Sequence, residues 1–267
     1  MKTLLFKNNT ALKITTLLKN LFFSFTGLLL LWSLICYFGK FPPALLPSPF
    51  AVAKALFELF HNGIMLENIA SSLWRFAVGY CASVVVGTTL GLLLGHCRRA
   101  YDLVSPVLHF LRPIAPVAWM PFIVLLIGIG DVPAIAIIFL AGFFPILLST
   151  VVAVRNLDPV YRKIAANYGI TFPTILWKIE FPAAFPAIAN SLHIALGSAW
   201  IFLVSGEMIG TQSGLGYLII DARNNMRTDH LLAAMVVIGV IGLLLDLAIG
   251  RFEKFILNIW GRDQHVY

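Results

Sequence analysis

Charged side chains are what this chain has least of. Asp, Glu, Lys and Arg make up 12% of its 267 residues, against roughly 25% in soluble domains, while 60% of it is hydrophobic. That deficit excludes an ordinary soluble domain. Cysteine is nearly absent too. Cys36, Cys81 and Cys97 are odd in number, show no CxxC spacing, and the first two lie inside apolar runs. They read as small packing residues, neither a disulfide framework nor a metal site. The six histidines form no HxxxH pair and read as loop and interface residues. GxxxxGK[ST], GxSxG, HExxH and the Rossmann GxGxxG are all missing, which removes a phosphate-cradling loop, a nucleophile elbow and a zinc-peptidase helix.

Carboxylates inside the apolar runs are scarcer still: Asp246 alone lies well inside one, a turn from its end. Proton- or sodium-coupled transport calls for more intramembrane ionisable groups, or for inverted repeats with broken helices. If this chain moves a solute, the energy comes from a partner. The formal charge of +7 is spread between apolar runs instead of forming a stripe, so no nucleic-acid partner is expected.

What is there is a series of charge-free windows: Asn20–Gly39, Phe76–Cys97, Pro113–Gly130, Val132–Val154, Phe181–Gly206, and His230–Gly250 with only Asp246 inside. Each is near the ~20 residues a helix needs to cross a bilayer. The expectation is an all-α polytopic membrane protein with six transmembrane helices, at about 21–39, 76–97, 113–130, 132–154, 187–206 and 230–250. The first run is longer than a signal-peptide core and has no A-x-A-like cleavage site, so it reads as an anchor. With both termini cytoplasmic, fourteen Lys and Arg fall inside and five outside (Lys40, Lys54, Arg75, Arg223 and Arg227), the bias that fixes orientation. Segment 1–20, a loop at 155–186 and a tail at 251–267 would then face the cytoplasm, and no soluble domain is large enough to fold alone.

Several local patterns qualify the spans. Ser48 is placed to cap an amphipathic helix over Pro49–Phe60, with Lys54 and Glu58 on a solvated face. Gly79, Ser83, Gly87, Gly91 and Gly95 recur every four residues, a close-approach stripe that suits packing within the chain ahead of contact between subunits. Pro113, Pro116 and Pro121 cluster in the third span, and Pro145 sits in the fourth; kinks are expected at both. Ser213-Gly214-Leu215-Gly216 reads as a turn or re-entrant loop, and Asp221, Arg223, Arg227 and Asp229 as a set that pairs internally. Phe252, Phe255, Ile256 and Ile259 have the spacing of an interfacial helix. Glu207, at the outer end of the fifth span, is a pathway candidate beside Ser198, Ser205 and Ser213, although a hydrated interfacial carboxylate is its plainer reading.

The stretch Asp158–Asn190 organises the chain. Asp158 can cap a helix that starts at Pro159, and Gly169 can end it in the left-handed conformation. Thr171 can cap a second helix whose Phe172, Ile175, Leu176 and Ile179 share one face, ended by Pro182 and Pro186. Two short helices joined by a glycine, on one side of a membrane, look like a docking device.

Lys163-Ile164-Ala165-Ala166-Asn167-Tyr168-Gly169, followed after nine residues by Ile179-Glu180-Phe181-Pro182, resembles the EAA motif of ABC importer permeases, E-A-A-x3-G-x9-I-x-L-P. Ala165, Gly169, Ile179 and Pro182 match. Lys163 stands where the family has Glu, Ile164 replaces the first Ala and Phe181 replaces Leu. LPSPFAV (46–52), LRPIAPVAWMPFIVLLIGIGD (111–131), FFPILLSTVVAVRNLD (143–158) and GEMIGTQSGLGYLIIDARNNMRTD (206–229) resemble the nitrate/sulfonate/taurine group of these permeases. The resemblance implies a type I ABC importer permease-like core with a cytoplasmic coupling-helix loop, in the bacterial inner membrane. Its implied partners are a second copy of this subunit, two cytoplasmic ATPase subunits and a periplasmic solute-binding protein. It implies no catalysis and no cofactor on this chain, with ATP and Mg on the ATPase. Lys163, Ala165, Ala166, Gly169, Thr171, Phe172, Ile179 and Pro182 would form the ATPase-docking loop. The implied solute is small: aliphatic sulfonate or taurine, nitrate, or one like bicarbonate. A stand-alone secondary transporter or channel and a membrane scaffold remain the alternatives at this point.

Overall fold

The computed structural model describes residues 19, 23–39, 42 and 44–259, without the side chains of 162, 166 and 257–259. Among these residues all regular structure is helical. The order is α1 (Phe23–Gly39), α2 (Pro49–His61), α3 (Ile64–His96), α4 (Arg98–Leu111), a tight 3-10 turn (Pro116–Trp119) leading into α5 (Met120–Ile127), and α6 (Asp131–Arg155). Then follow α7 (Pro159–Asn167), α8 (Phe172–Ile175), a π turn (Leu176–Glu180), α9 (Phe181–Gly210), α10 (Leu215–Asn224) and α11 (Thr228–Ile259).

Four stretches of the described residues are long and apolar enough to cross a bilayer: Ile64–His96, Asp131–Arg155, Phe172–Gly210 and Thr228–Ile256. α4 and the Pro116–Ile127 unit, bent by 85°, make a fifth if they count as one broken span. α1 is apolar but shorter. The expected third span at 113–130 is therefore not a straight rod. Pro116 and Pro121 occupy first-turn positions, where a missing N–H is harmless, so each starts a helix instead of kinking one. The second span begins at Ile64, twelve residues before the expected boundary, and Arg75 is inside it, buried. It is not an outer-loop residue. α6 runs unbroken through Pro145.

Pro182 and Pro186 do not end the helix that starts at Phe172. The backbone widens into one π turn, where the Phe181 N–H donates to the Leu176 carbonyl five residues back, and continues as α9. Such a turn absorbs a proline without ending a helix. The sixth span and the start of the tail are likewise one helix through Ile259, so no separate interfacial helix begins at 251. Segment 1–20 lies outside the described residues except for Lys19, as does 260–267.

The four-residue stripe explains the core. A Cβ on Gly79 would sit 2.8 Å from Ile138 Cβ, on Gly91 2.6 Å from Thr150 Cβ, and on Gly95 2.7 Å from Val154 Cβ. α3 thus lies backbone-close against α6 within one chain, which is the packing reading of the stripe. α9 packs on both. Tyr80 donates to the Leu192 carbonyl (2.8 Å), and Trp200 Nε1–H donates to the Ile238 carbonyl (3.1 Å), drawing α11 alongside. α2 is capped as expected: the Ala51 N–H donates to Ser48 Oγ at 3.3 Å. Val52 and Leu59 are buried while Phe60 stays exposed. Glu58 is not simply solvated, since it lies 3.5 Å from Arg227.

Candidate functional site

The docking-like segment forms largely as its sequence dictates. Asp158 Oδ1 accepts the Val160 N–H at 2.8 Å, capping α7. Gly169 adopts φ +62°, and the Ile170 N–H reaches back to the Ala165 carbonyl at 3.0 Å, the long bond of a glycine-terminated helix. Thr171 occupies the cap position of α8, but its hydroxyl pairs with Thr174 Oγ1 (3.1 Å) instead of a backbone N–H.

The segment turns one side inward and leaves the other bare. Ala165 and Glu180 are fully buried, Leu176 nearly so, and Ile179 and Pro182 half-buried. Val160, Tyr161, Ile164, Phe172 and Trp177 are each more than two-fifths exposed, and Tyr168 is 81% exposed. Lys163, Gly169 and Thr171 are exposed with them; the side chain of Ala166 lies outside the described residues. Glu180 Oε1 is 2.9 Å from His96 Nδ1 at the last turn of α3, and the His96 ring meets Phe172 edge-on at 4.9 Å. The bare apolar helix is therefore fastened to the core through a carboxylate and a ring.

Of the four pathway candidates, two come together at the opposite end of α9. Glu207 is fully buried and accepts from the Ser72 hydroxyl (2.8 Å), from Arg75 Nη1 (2.6 Å) and from the Gly216 N–H (2.9 Å). Arg75 makes four hydrogen bonds and one further ion-pair contact. Nε and Nη2 reach Asp131 Oδ1 (2.8 and 2.7 Å), Nη1 reaches Glu207 and the Ser213 carbonyl (2.8 Å), and Nη2 also reaches Ser213 Oγ (2.6 Å). Asn68 Oδ1 and Ser72 Oγ take the N–H groups of Gly214 and Leu215. The network pins the 211–216 turn, where Gly214 has φ +104°, onto α3, α6 and α9. Ser198 and Ser205 lie elsewhere, on the side of α9 that carries exposed Ile194 and Ile201, each bonded to the carbonyl four residues back (3.1 and 3.4 Å). That side continues into an open cleft of about 610 Å³ with Arg112, Ser149, Asn156 and Asn190 among its lining residues.

Arg75 and His96 were the misses of sequence reasoning. Their signal was present: Asn68, Ser72 and Arg75 fall at i, i+4 and i+7 and lead directly into the Gly79–Gly95 stripe. Arg227 and Asp229 do pair (3.0 Å), while Asp221 bonds to Asn225 instead. Among the described residues no group of three His, Cys, Asp or Glu could hold a metal ion.

Residues 87–258 match the family described as binding-protein-dependent transport system inner membrane component. Over 86% of its length and 86% of the relative's, the chain is 32% identical to the nitrate import permease protein NrtB of Synechocystis sp.. It is 30% identical to the taurine transport system permease protein TauC of Escherichia coli, covering 85% of this chain and 84% of that one. Among solved structures, a chain of the MetNI methionine ABC transporter in an inward-facing conformation superposes with a TM-score of 0.64 at 20% identity, over 72% of this chain and 95% of that one.

Proposed function

The chain belongs to the inner membrane components of binding-protein-dependent transport systems, and from that premise we propose how it works and what it carries. It is a multi-pass permease subunit with a type I importer fold, and such subunits work with ATPase and binding-protein partners. The bent Pro116–Ile127 unit and α1 complete six passes. Two copies assemble around a path lined by the uncovered side of α9, with Ser198 and Ser205 on it and Glu207 and Ser213 holding its outer end. The segment Pro159–Glu180 faces the cytoplasm with both termini, which the division of Lys and Arg supports, fourteen inside against four outside once Arg75 is placed within its span. There it enters a groove on a separate ATPase, which binds ATP and Mg, while this chain itself binds no cofactor and catalyses nothing.

The observation that carries this reading is the asymmetry of the segment: buried Ala165, Leu176 and Glu180 hold it, and Ile164, Tyr168 and Phe172 stay about half or more exposed among the described residues. Apolar side chains on a helix that projects at a membrane face suit a helix-in-groove contact. Its test is the double variant Ile164→Asp with Tyr168→Asp. The permease should insert and remain folded while the ATPase no longer co-purifies with it; undiminished co-purification removes the docking assignment.

The solute is small: an aliphatic sulfonate or taurine, or nitrate, as the relatives' names suggest, or one like bicarbonate. Proteoliposomes holding permease, ATPase and binding protein should take up labelled taurine or nitrate only with ATP inside the docking compartment. Flux through this chain alone would favour a channel or secondary transporter instead.

A further inference from the structure

We propose that Lys163 is read by a carboxylate of the ATPase, so that this permease and its ATPase are matched through a charge opposite to the one the related motif carries. The inference rests on the docking reading above and adds to it the sign of the partner's charge.

Lys163 is in the middle of α7, exposed, between the exposed side chains of Tyr161 and Ile164. No carboxylate of its own segment is placed to neutralise it. Asp158 is committed at the far end of α7, accepting the Val160 N–H at 2.8 Å where its charge suits the helix dipole. Glu180 is fully buried on the core side, beside His96. Lys178, the other described cation of the segment, is exposed as well. The face offered to a partner is therefore apolar side chains with ammonium groups among them and no available acid.

A helix that enters a groove carries Lys163 out of water. The ammonium has three donors and no acceptor, and losing its hydration without a countercharge opposes docking. A groove built to receive Glu at this position presents a cation or N–H donors, and either repels Lys163 or leaves it unpaired. A groove that presents Asp or Glu satisfies it and rejects the Glu-bearing relatives. Pairing of this permease with its own ATPase, and not with that of a related importer, follows from the same contact.

The experiment measures binding of the cognate ATPase to the permease in nanodiscs, and ATP hydrolysis by the assembled complex. Lys163→Glu should weaken binding about thirty-fold or more, as loss of a desolvated charge pair does, and Lys163→Gln should fall between the two. One Asp→Lys or Glu→Lys change on the ATPase should be defective with the native permease and restore binding to Lys163→Glu. Since Lys163 is exposed, an unchanged elution profile and melting point certify the fold. Full binding by Lys163→Glu while Ile164→Asp/Tyr168→Asp abolishes it overturns the charge match and leaves docking standing. Full binding by both removes docking itself. A Lys163→Glu defect that no carboxylate reversal restores also overturns the charge match.

Discussion

Replacing Arg75 by Met should be among the most damaging single changes available in this chain. It removes four hydrogen bonds and the ion pair with Asp131, and leaves Glu207, fully buried, with only the Ser72 hydroxyl and the Gly216 N–H to hold its charge. Breaking a buried pair by removing one partner costs about 3–5 kcal/mol, because the other charge is left uncompensated. At roughly 2–4 °C per kcal/mol for a chain of this size, the melting midpoint in detergent should fall by about 6–20 °C. The decisive comparison is the double variant Arg75→Met/Glu207→Met. With no orphaned charge it should be more stable than Arg75→Met alone, a coupling of opposite sign to simple additivity. The exposed Arg227–Asp229 pair is the control, since Arg227→Ala should cost no more than about 1 kcal/mol. An Arg75→Met midpoint within a degree or two of the native chain, or a double variant no better than the single one, refutes the reasoning.

Four further outcomes are expected. Gly91→Ala places a Cβ 2.6 Å from Thr150 Cβ and should destabilise by about 1–3 kcal/mol through overpacking. Gly197→Ala, with no neighbouring atom within 4 Å, should leave the same melting curve in place or raise it by up to about 1 kcal/mol through helix propensity. In a variant whose Cys36, Cys81 and Cys97 are Ser, Ile201→Cys on the uncovered side of α9 should form an oxidant-dependent dimer on a non-reducing gel; monomer alone counts against the two-copy path. Asn167→Cys should resist an impermeant thiol reagent in intact cells and react after permeabilisation, and labelling from outside would invert the proposed orientation.

The parts of the fold legible in the sequence were those set by local chemistry. Ser48, Asp158 and Gly169 specify caps and a left-handed turn through atoms within a few residues of themselves, and each does what its spacing implies. The glycine stripe was legible because close packing needs an uninterrupted period, which a single helix displays. What failed was the use of charge as a boundary. Arg75 reads as the edge of an apolar run only if it is hydrated, and its neutralisation depends on Asp131, Glu207 and the Ser213 turn, which are 56, 132 and 138 residues away. Proline failed for a related reason. Whether Pro182 stops a helix depends on whether the preceding turn can widen, and Leu176–Glu180 does so while burying Leu176 and Glu180 against the core.

Both buried carboxylates lie on one helical rod, Phe172–Gly210, and both are fastened to α3. Glu180 meets His96 near the end of α3, and Glu207 meets Ser72 and Arg75 near its start. From residue 72 to 96 an α-helix rises about 36 Å, and from 180 to 207 about 40 Å, so the two fastenings are nearly the same distance apart along each partner. That spacing slightly exceeds the ~30 Å hydrocarbon core of a bilayer, so a helix pair crossing it along its normal would hold the ionisable groups near the two margins, where hydration and headgroups tolerate them. Between them Tyr80 donates to the Leu192 carbonyl. In the proposed docking, a push at Phe172 would be carried towards Glu207 along one continuous helix, because the π turn leaves no break at Pro182. The 211–216 turn, bonded to both α3 and Glu207, is where the proposed docking would be felt at the other end of that helix.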